Sequence, residues 1–311
     1  MSEFFSMLKD PNYLRGFVIR GLGDAVTGTG PIGEERFGQS EEPVWNLCQW
    51  SARYSFTDKT VSTFSSPKKG VYDFKSPTNN FIVDTVNRSL IFDCTASKCY
   101  DAPRTENQGW QHLLIEAGFT QQVNKDPKEL KSGDSRTKAT ELKRINVKGN
   151  ISLTKFEDHM GSDFNPDLHA AQFLLYFTVH NCNPESKDFK KMIWLGINFF
   201  DNRHEFQCGG SQYDKGTDCL IVGLGNCLVY PSGDSFFKNG KPVASEKSYD
   251  FNVNILSHVK KALATANKDG YLLNTNFEDL NITGMNIGWE VPGTFDVTMK
   301  LNNFDVVAEL L

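Results

Sequence analysis

Residues 193–199 sort by a two-residue repeat. Ile193, Leu195, Ile197 and Phe199 take one side; Trp194, Gly196 and Asn198 take the other. Successive side chains of a strand point to opposite faces, so the repeat predicts a strand with one core face and one polar face. That second face presents a ring, a gap and an amide. The pattern recurs at 110–116, where Gln111, Leu113 and Ile115 alternate with Trp110, His112, Leu114 and Glu116. At 170–180, Ala171, Phe173, Phe177 and Val179 read as core, while Gln172, Tyr176 and His180 face outward. At 282–290, Met285, Ile287 and Trp289 read as core and alternate with Gly284, Asn286, Gly288 and Glu290. Phe295, Val297, Met299 and Leu301 share one face of a further strand.

Strands are predicted over 89–94, 110–119, 145–153, 170–179, 192–200, 218–222, 281–291 and 294–302. Gly, Pro, Asn and Asp clusters separate them, the rhythm of an all-β antiparallel β-sandwich or jelly roll. One segment has helical spacing instead. Ile255, Leu256, Val259, Ala262, Leu263 and Ala266 predict an amphipathic helix over 255–267, with Lys260, Lys261 and Lys268 toward its C-terminal end and Gly270 to stop it. Residues 21–42 and 121–144 read as polar loops, the second with a short helix near 127–131. The organisation expected is an N-terminal extension or wrapping segment over 1–44 and a single sandwich domain over 45–311.

The chain has 311 residues and a formal net charge of −5. Its basic run at 125–144 is interleaved with acids, so no nucleic-acid partner is expected. No apolar stretch is long enough to span a bilayer, and no membrane partner is expected. The first ten residues lack the apolar run of a signal peptide. That leads us to expect a cytoplasmic protein or a secreted domain whose leader has been removed. Seven scattered cysteines contain no Cys-x-x-Cys, which argues against a zinc ribbon. Cys94 with Cys99, or pairs among Cys208, Cys219 and Cys227, are candidate disulfides; buried thiols are the alternative.

If the two-faced strands are neighbours, their outward residues form one concave patch. The candidate ligand-binding residues are Trp110, His112, Gln172, Tyr176, Trp194, Asn198, Arg203 and Asn286. A tryptophan beside a glycine and an amide suits a sugar ring, which has an apolar side and a hydroxyl edge. Glu116 and Glu290 also fall on this face and are the candidate catalytic pair for glycoside hydrolysis. A lyase would instead use Tyr176 or His112 as base and Arg104 or Arg203 against a uronate carboxylate. The competing reading of Arg203 is a salt bridge within its loop, to Asp201 or Glu205.

Other motifs are decoys. Residues 219–225 look like a strand entering a dinucleotide-binding glycine loop, but Leu228 replaces the third glycine and Pro231 follows. Asp163, Asn165 and Asp167 alternate like the start of a calcium loop, but Leu168 replaces its turn glycine. No cofactor is expected, with a structural calcium of another kind left open.

The alternating strands, the tryptophan-bearing face and the segments 110–116 and 194–203 resemble jelly-roll proteins of the concanavalin A-like type. The resemblance is architectural and implies a carbohydrate ligand, bound or cleaved on the concave sheet. The glutamate-aspartate-glutamate strand motif of the glucanase members is absent. Three functions are therefore carried forward: a lectin-like carbohydrate-binding protein whose partner is an oligo- or polysaccharide, a glycoside hydrolase or polysaccharide lyase on the same face, and a non-catalytic protein-interaction module.

Overall fold

The computed structural model describes residues 4–23, 28–119, 138–230, 233 and 235–311. In chain order the strands are β1 (Phe4–Ser6), β2 (Phe17–Arg20), β3 (Pro31–Glu35), β4 (Trp45–Cys48), β5 (Thr63–Lys68), β6 (Val71–Lys75), β7 (Asn79–Asp84) and β8 (Ser89–Thr95). There follow β9 (Gln111–Gly118), β10 (Leu142–Asp158), β11 (Gln172–Asn181), β12 (Met192–Asp201), β13 (Gly210–Asp214) and β14 (Cys219–Gly223). The last are β15 (Phe237–Lys238), β16 (Lys241–Pro242), β17 (Tyr249–Asn254), β18 (Leu280–Val291) and β19 (Phe295–Leu310), with α1 (Leu256–Lys268) between β17 and β18.

Two large sheets form a sandwich. The back sheet runs β17-β10-β19-β8-β7-β6-β5, with β1 paired to β19; the front sheet runs β13-β14-β12-β11-β18-β9-β4-β2-β3. Pairing is antiparallel except for β12 with β14 and β2 with β4. The four strands with the clearest alternation, β12, β11, β18 and β9, are consecutive neighbours in the front sheet.

Their apolar faces meet the back sheet. Phe173, Leu175, Phe177, Ile193, Leu195, Ile197, Ile287 and Trp289 are all buried. The Trp289 indole N–H donates to the Phe92 carbonyl of the back sheet at 3.0 Å, and its ring meets Phe173 and Phe200 edge-on. Helix α1 buries Leu256, Val259, Ala262, Leu263 and Ala266 and packs on β10, β12 and β14. Gly270, at φ +80°, follows it in the left-handed region that favours glycine.

Residues before Trp45 supply strands to both sheets: β1 to the back, β2 and β3 to one edge of the front. The expected loop over 21–42 therefore contains a strand, β3. Of the loop expected over 121–144, residues 121–137, including the short helix near 127–131, lie outside the described residues, and Leu142 already begins β10. Strands β10 and β19 run well past the expected 145–153 and 294–302, their mutual pairing broken by register shifts near Gly149 and Thr154. Bulges of this kind let long paired strands bend around a core.

All seven cysteines are free thiols, so the candidate pairings are not formed; Cys48, Cys94 and Cys219 are buried. Residues 219–223 form β14 and run on into a turn at Gly225 rather than a helix. Among the described residues no helix is long and apolar enough to cross a membrane.

Candidate functional site

The outer face of the front sheet is built from rows of residues in register. Gln172 of β11 lies opposite Glu290 of β18, which lies opposite His112 of β9. The next row holds Asn198, Leu174, Gly288 and Leu114. The third holds Gly196, Tyr176, Asn286 and Glu116, and the fourth holds Trp194, Thr178, Gly284 and Gly118. Two residues of strand advance about 6.6 Å, so the first and fourth rows are about 20 Å apart.

A cleft of about 1040 Å³ lies over these rows. Its lining includes Trp110, His112, Gln172, Tyr176, Trp194, Asn198, Arg203, Asn286 and Glu290, together with Arg104. Pairing order brings the residues of β9, β11, β12 and β18 onto one surface, and the flanking loops add Arg104, Trp110 and Arg203.

At one end, the Arg104 guanidinium stacks on the Trp110 ring, 4.9 Å from its centroid. The Trp110 indole N–H donates to Glu290 Oε2 at 3.1 Å. The His112 ring sits between Trp50 and Trp110, at 5.5 and 5.7 Å. His112 Nδ1 is 2.7 Å from the Trp110 carbonyl, which can only accept, so that nitrogen carries the hydrogen. His112 Nε2 then faces Glu290 Oε2 at 3.8 Å.

In the middle stands Tyr176. The gap at Gly196 is filled by this ring rather than left to a ligand: a Cβ at Gly196 would lie 2.5 Å from a Tyr176 ring carbon. Burial, and then the charges of Glu290, Asp214 and Asp201, push the Tyr176 phenol well above the usual tyrosine range. At neutral pH it is a hydrogen-bond donor. Gly288 also has a structural cause, since a Cβ there would lie 2.2 Å from the Leu113 carbonyl oxygen.

At the far end, the half-buried Trp194 meets the Tyr176 ring edge-on at 5.9 Å, and its indole N–H points to Thr217 Oγ1 at 3.4 Å. The hairpin of β13 and β14 walls this end with Tyr213, Asp214 and Thr217. Asn198 donates to Gln207, and Gln172 donates to Asp201 at 2.8 Å. Asn198 Oδ1 and Trp50 Nε1 are buried at the cleft wall with no hydrogen-bond partner among the described residues.

One candidate is placed differently from the sequence reading, and two arginines are already engaged. Glu116 shares the row of Asn286 but does not line the cleft. Strand β4 lies beside it, and Asn46 donates to Glu116 Oε1 at 3.1 Å. Burial raises the Glu116 carboxyl above its ordinary range, with Arg20 and hydrogen bonds from Cys48 and Asn46 opposing that shift. Arg203 lines the cleft yet is already held. Its guanidinium forks onto Asp201 at 2.9 and 2.6 Å, and Nη1 donates to the Pro166 carbonyl at 2.9 Å. Arg104 donates to the carbonyls of Gln108 and Leu168.

The calcium-like stretch is a turn. Asn165 Oδ1 accepts from the Asp167 N–H, and the Asn165 N–H donates to His169 Nδ1. Among the described residues, neither Asp163 nor Asp167 joins a cluster of three potential metal ligands.

Trp50, Gln207, Asp214 and Thr217 also line the cleft and were not identified from sequence; Asp167, read there as part of a calcium-like stretch, lines it too. The only signal for Asp214 and Thr217 was their position just before the predicted strand at 218–222. Trp50 lies beyond β4, in a loop with no alternation.

No protein-family model and no curated protein matches the sequence. Among solved structures, the chain is similar to a family 12 xyloglucanase from Bacillus licheniformis, at 11% identity and a TM-score of 0.41, covering 80% of this chain and 100% of that one. It is also similar to an endoglucanase from Rhodothermus marinus, at 10% identity and a TM-score of 0.40, covering 78% and 93%. A family 11 xylanase from Neocallimastix patriciarum is similar at 9% identity and a TM-score of 0.39, covering 81% and 97%.

Proposed function

We propose that the outer face of the front sheet binds an oligo- or polysaccharide. One observation carries this reading: three half-buried tryptophans, two tyrosines and a set of amide, imidazole and carboxylate groups line a single open cleft. Aromatic rings cover the apolar side of a sugar, and the polar groups between them take its hydroxyls. In this reading Trp194 stacks on a sugar face, while Trp110, with Arg104 on its ring and His112 stacked beside it, edges the site. His112, Gln172, Tyr176, Asn198, Asn286 and Glu290 bond hydroxyls. Arg203 holds Asp201 and so shapes the wall rather than meeting the ligand. A face filled by its own loops would favour a protein-interaction module; the openness of this one favours a ligand.

A second reading, glycoside hydrolysis, is favoured by one observation. Glu290 lies in the cleft with His112 Nε2 at 3.8 Å, placing a carboxylate and an imidazole nitrogen over the same surface. Asp214 stands at the far end of the cleft, about three rows from Glu290, and accepts from the Gly216 N–H and the Thr217 hydroxyl, so it does not pair with Glu290 at the separation glycoside hydrolysis requires. Nor does Glu116, outside the cleft. The lyase reading has less support, because Tyr176 keeps its proton and both arginines already have carbonyl or carboxylate partners.

A glycan array with wild type and Trp194→Ala in parallel tests binding, and product analysis of each hit with wild type and Glu290→Gln tests turnover. Binding lost in Trp194→Ala with the glycan recovered intact supports the binder. Products made by wild type and not by Glu290→Gln support the hydrolase. No glycan bound by folded wild type would overturn both.

A further inference from the structure

On the other sheet, away from the cleft, Glu157 of β10 lies directly opposite Asp296 of β19. Like charges facing each other across an antiparallel pair destabilise it unless a cation lies between them. His159, just past β10, points its ring into this space: Nε2 is 3.4 Å from Asp296 Oδ2 and 3.7 Å from Glu157 Oε2. Among the described residues, these three offer donor atoms all within 4.8 Å of one another. Lys155 Nζ stands 3.8 Å from both carboxylates, a charge nearby but beyond hydrogen-bonding distance.

We propose that Glu157, His159 and Asp296 form a binding site for a divalent transition-metal ion of the zinc type. Zinc takes imidazole nitrogen and carboxylate oxygen at about 2.0–2.2 Å, which puts neighbouring donors of a tetrahedral site roughly 3.3–3.6 Å apart. The 3.4 and 3.7 Å separations need little adjustment. One ligand is already oriented: buried Asp296 accepts from the Ser97 N–H and hydroxyl, both at 3.0 Å. A second is anchored through its backbone, where the His159 N–H donates to the Thr294 carbonyl at 3.0 Å. Such outer contacts fix ligands for a metal. Lys155, whose side chain is partly exposed, swings to solvent when the ion enters. A bound ion would clamp β10 to β19 beside the turn that links β18 to β19. One imidazole and three protein donors favour zinc over calcium, which takes six to eight oxygens.

The test is calorimetric titration of zinc chloride into the full chain carrying Cys208→Ser and Cys227→Ser, which removes the exposed thiols. The expected result is one zinc per chain, with calcium at least tenfold weaker. His159→Ala or Glu157→Gln in the same background should weaken zinc by more than about tenfold. Both positions are exposed, so these variants should fold, and circular dichroism checks that they do. Lys155→Met should bind zinc as tightly as the parent or tighter. Absence of zinc binding, undiminished binding in His159→Ala and Glu157→Gln, calcium binding as tight as zinc, or weaker binding in Lys155→Met would each overturn the proposal.

Discussion

Along β11, Phe173, Leu175, Phe177 and Val179 point inward and are buried among residues of both sheets, while Gln172, Leu174 and Tyr176 point outward and line the cleft. The same contrast holds for Ile193, Leu195 and Ile197 against Trp194, Gly196 and Asn198 on β12. One backbone thus carries two surfaces. The inner one is held by apolar burial and packing, which stabilise the fold. The outer one holds rings and hydrogen-bonding groups at fixed spacing, where a change should alter recognition more than folding. Some outer residues, however, serve the fold.

The comparison is sharpest at Trp289, on the inner face. Trp289→Ala should cost about 3–5 kcal/mol in urea unfolding, since it empties a large buried volume and leaves the Phe92 carbonyl without its donor. A loss under 1 kcal/mol would show that the inner face is not what holds the sheets together.

Arg203 tests an outer residue assigned to the fold. Arg203→Ala removes the charge partner of Asp201, which is almost fully buried and keeps only Gln172 and a backbone N–H, and should cost roughly 2–3 kcal/mol. Unchanged stability with lost glycan binding would return Arg203 to the ligand.

Gly196 couples the two roles. Gly196→Ala pushes on the Tyr176 ring and should cost about 1–2 kcal/mol. It should also weaken glycan binding, because Tyr176 cannot keep its place. A crystal structure of the variant with Tyr176 unmoved would contradict the packing argument.

The smallest effect is expected at Glu116. Its carboxyl is raised in the folded state, chiefly by burial, so the fold favours the protonated form. The stability linked to that proton is fully present below the ordinary carboxylate pKa and is lost as pH rises through the raised folded value. Glu116→Gln keeps an acceptor for Asn46 without the charge. Its melting temperature should match wild type at low pH and exceed it at neutral pH; equal curves at both would show that the burial costs nothing.

Two-residue alternation made the inner face and the four central strands legible in the sequence. It also named the outer residues of β9, β11, β12 and β18, because face follows directly from register. It could not place them across the sheet. Glu116 has the same parity as His112, yet β4 adds at that edge and Asn46 covers it, a neighbour known only from pairing order. Gly196 reads as a gap in one strand and is filled from the next. The wall residues Trp50, Asp214 and Thr217 sit in a loop and an exposed hairpin with no burial pattern to betray them. Arg203 was legible both ways, as ligand contact or local ion pair, and the Asp201 fork resolved its geometry.

The most direct test of the central claim is calorimetric titration of an array-identified glycan into wild type and Trp194→Ala, with urea unfolding of both. The account predicts that Trp194→Ala loses at least tenfold in affinity while its stability changes by no more than about 1 kcal/mol, since a half-buried ring on the outer face holds little of the fold. Equal affinity in the two proteins would contradict it.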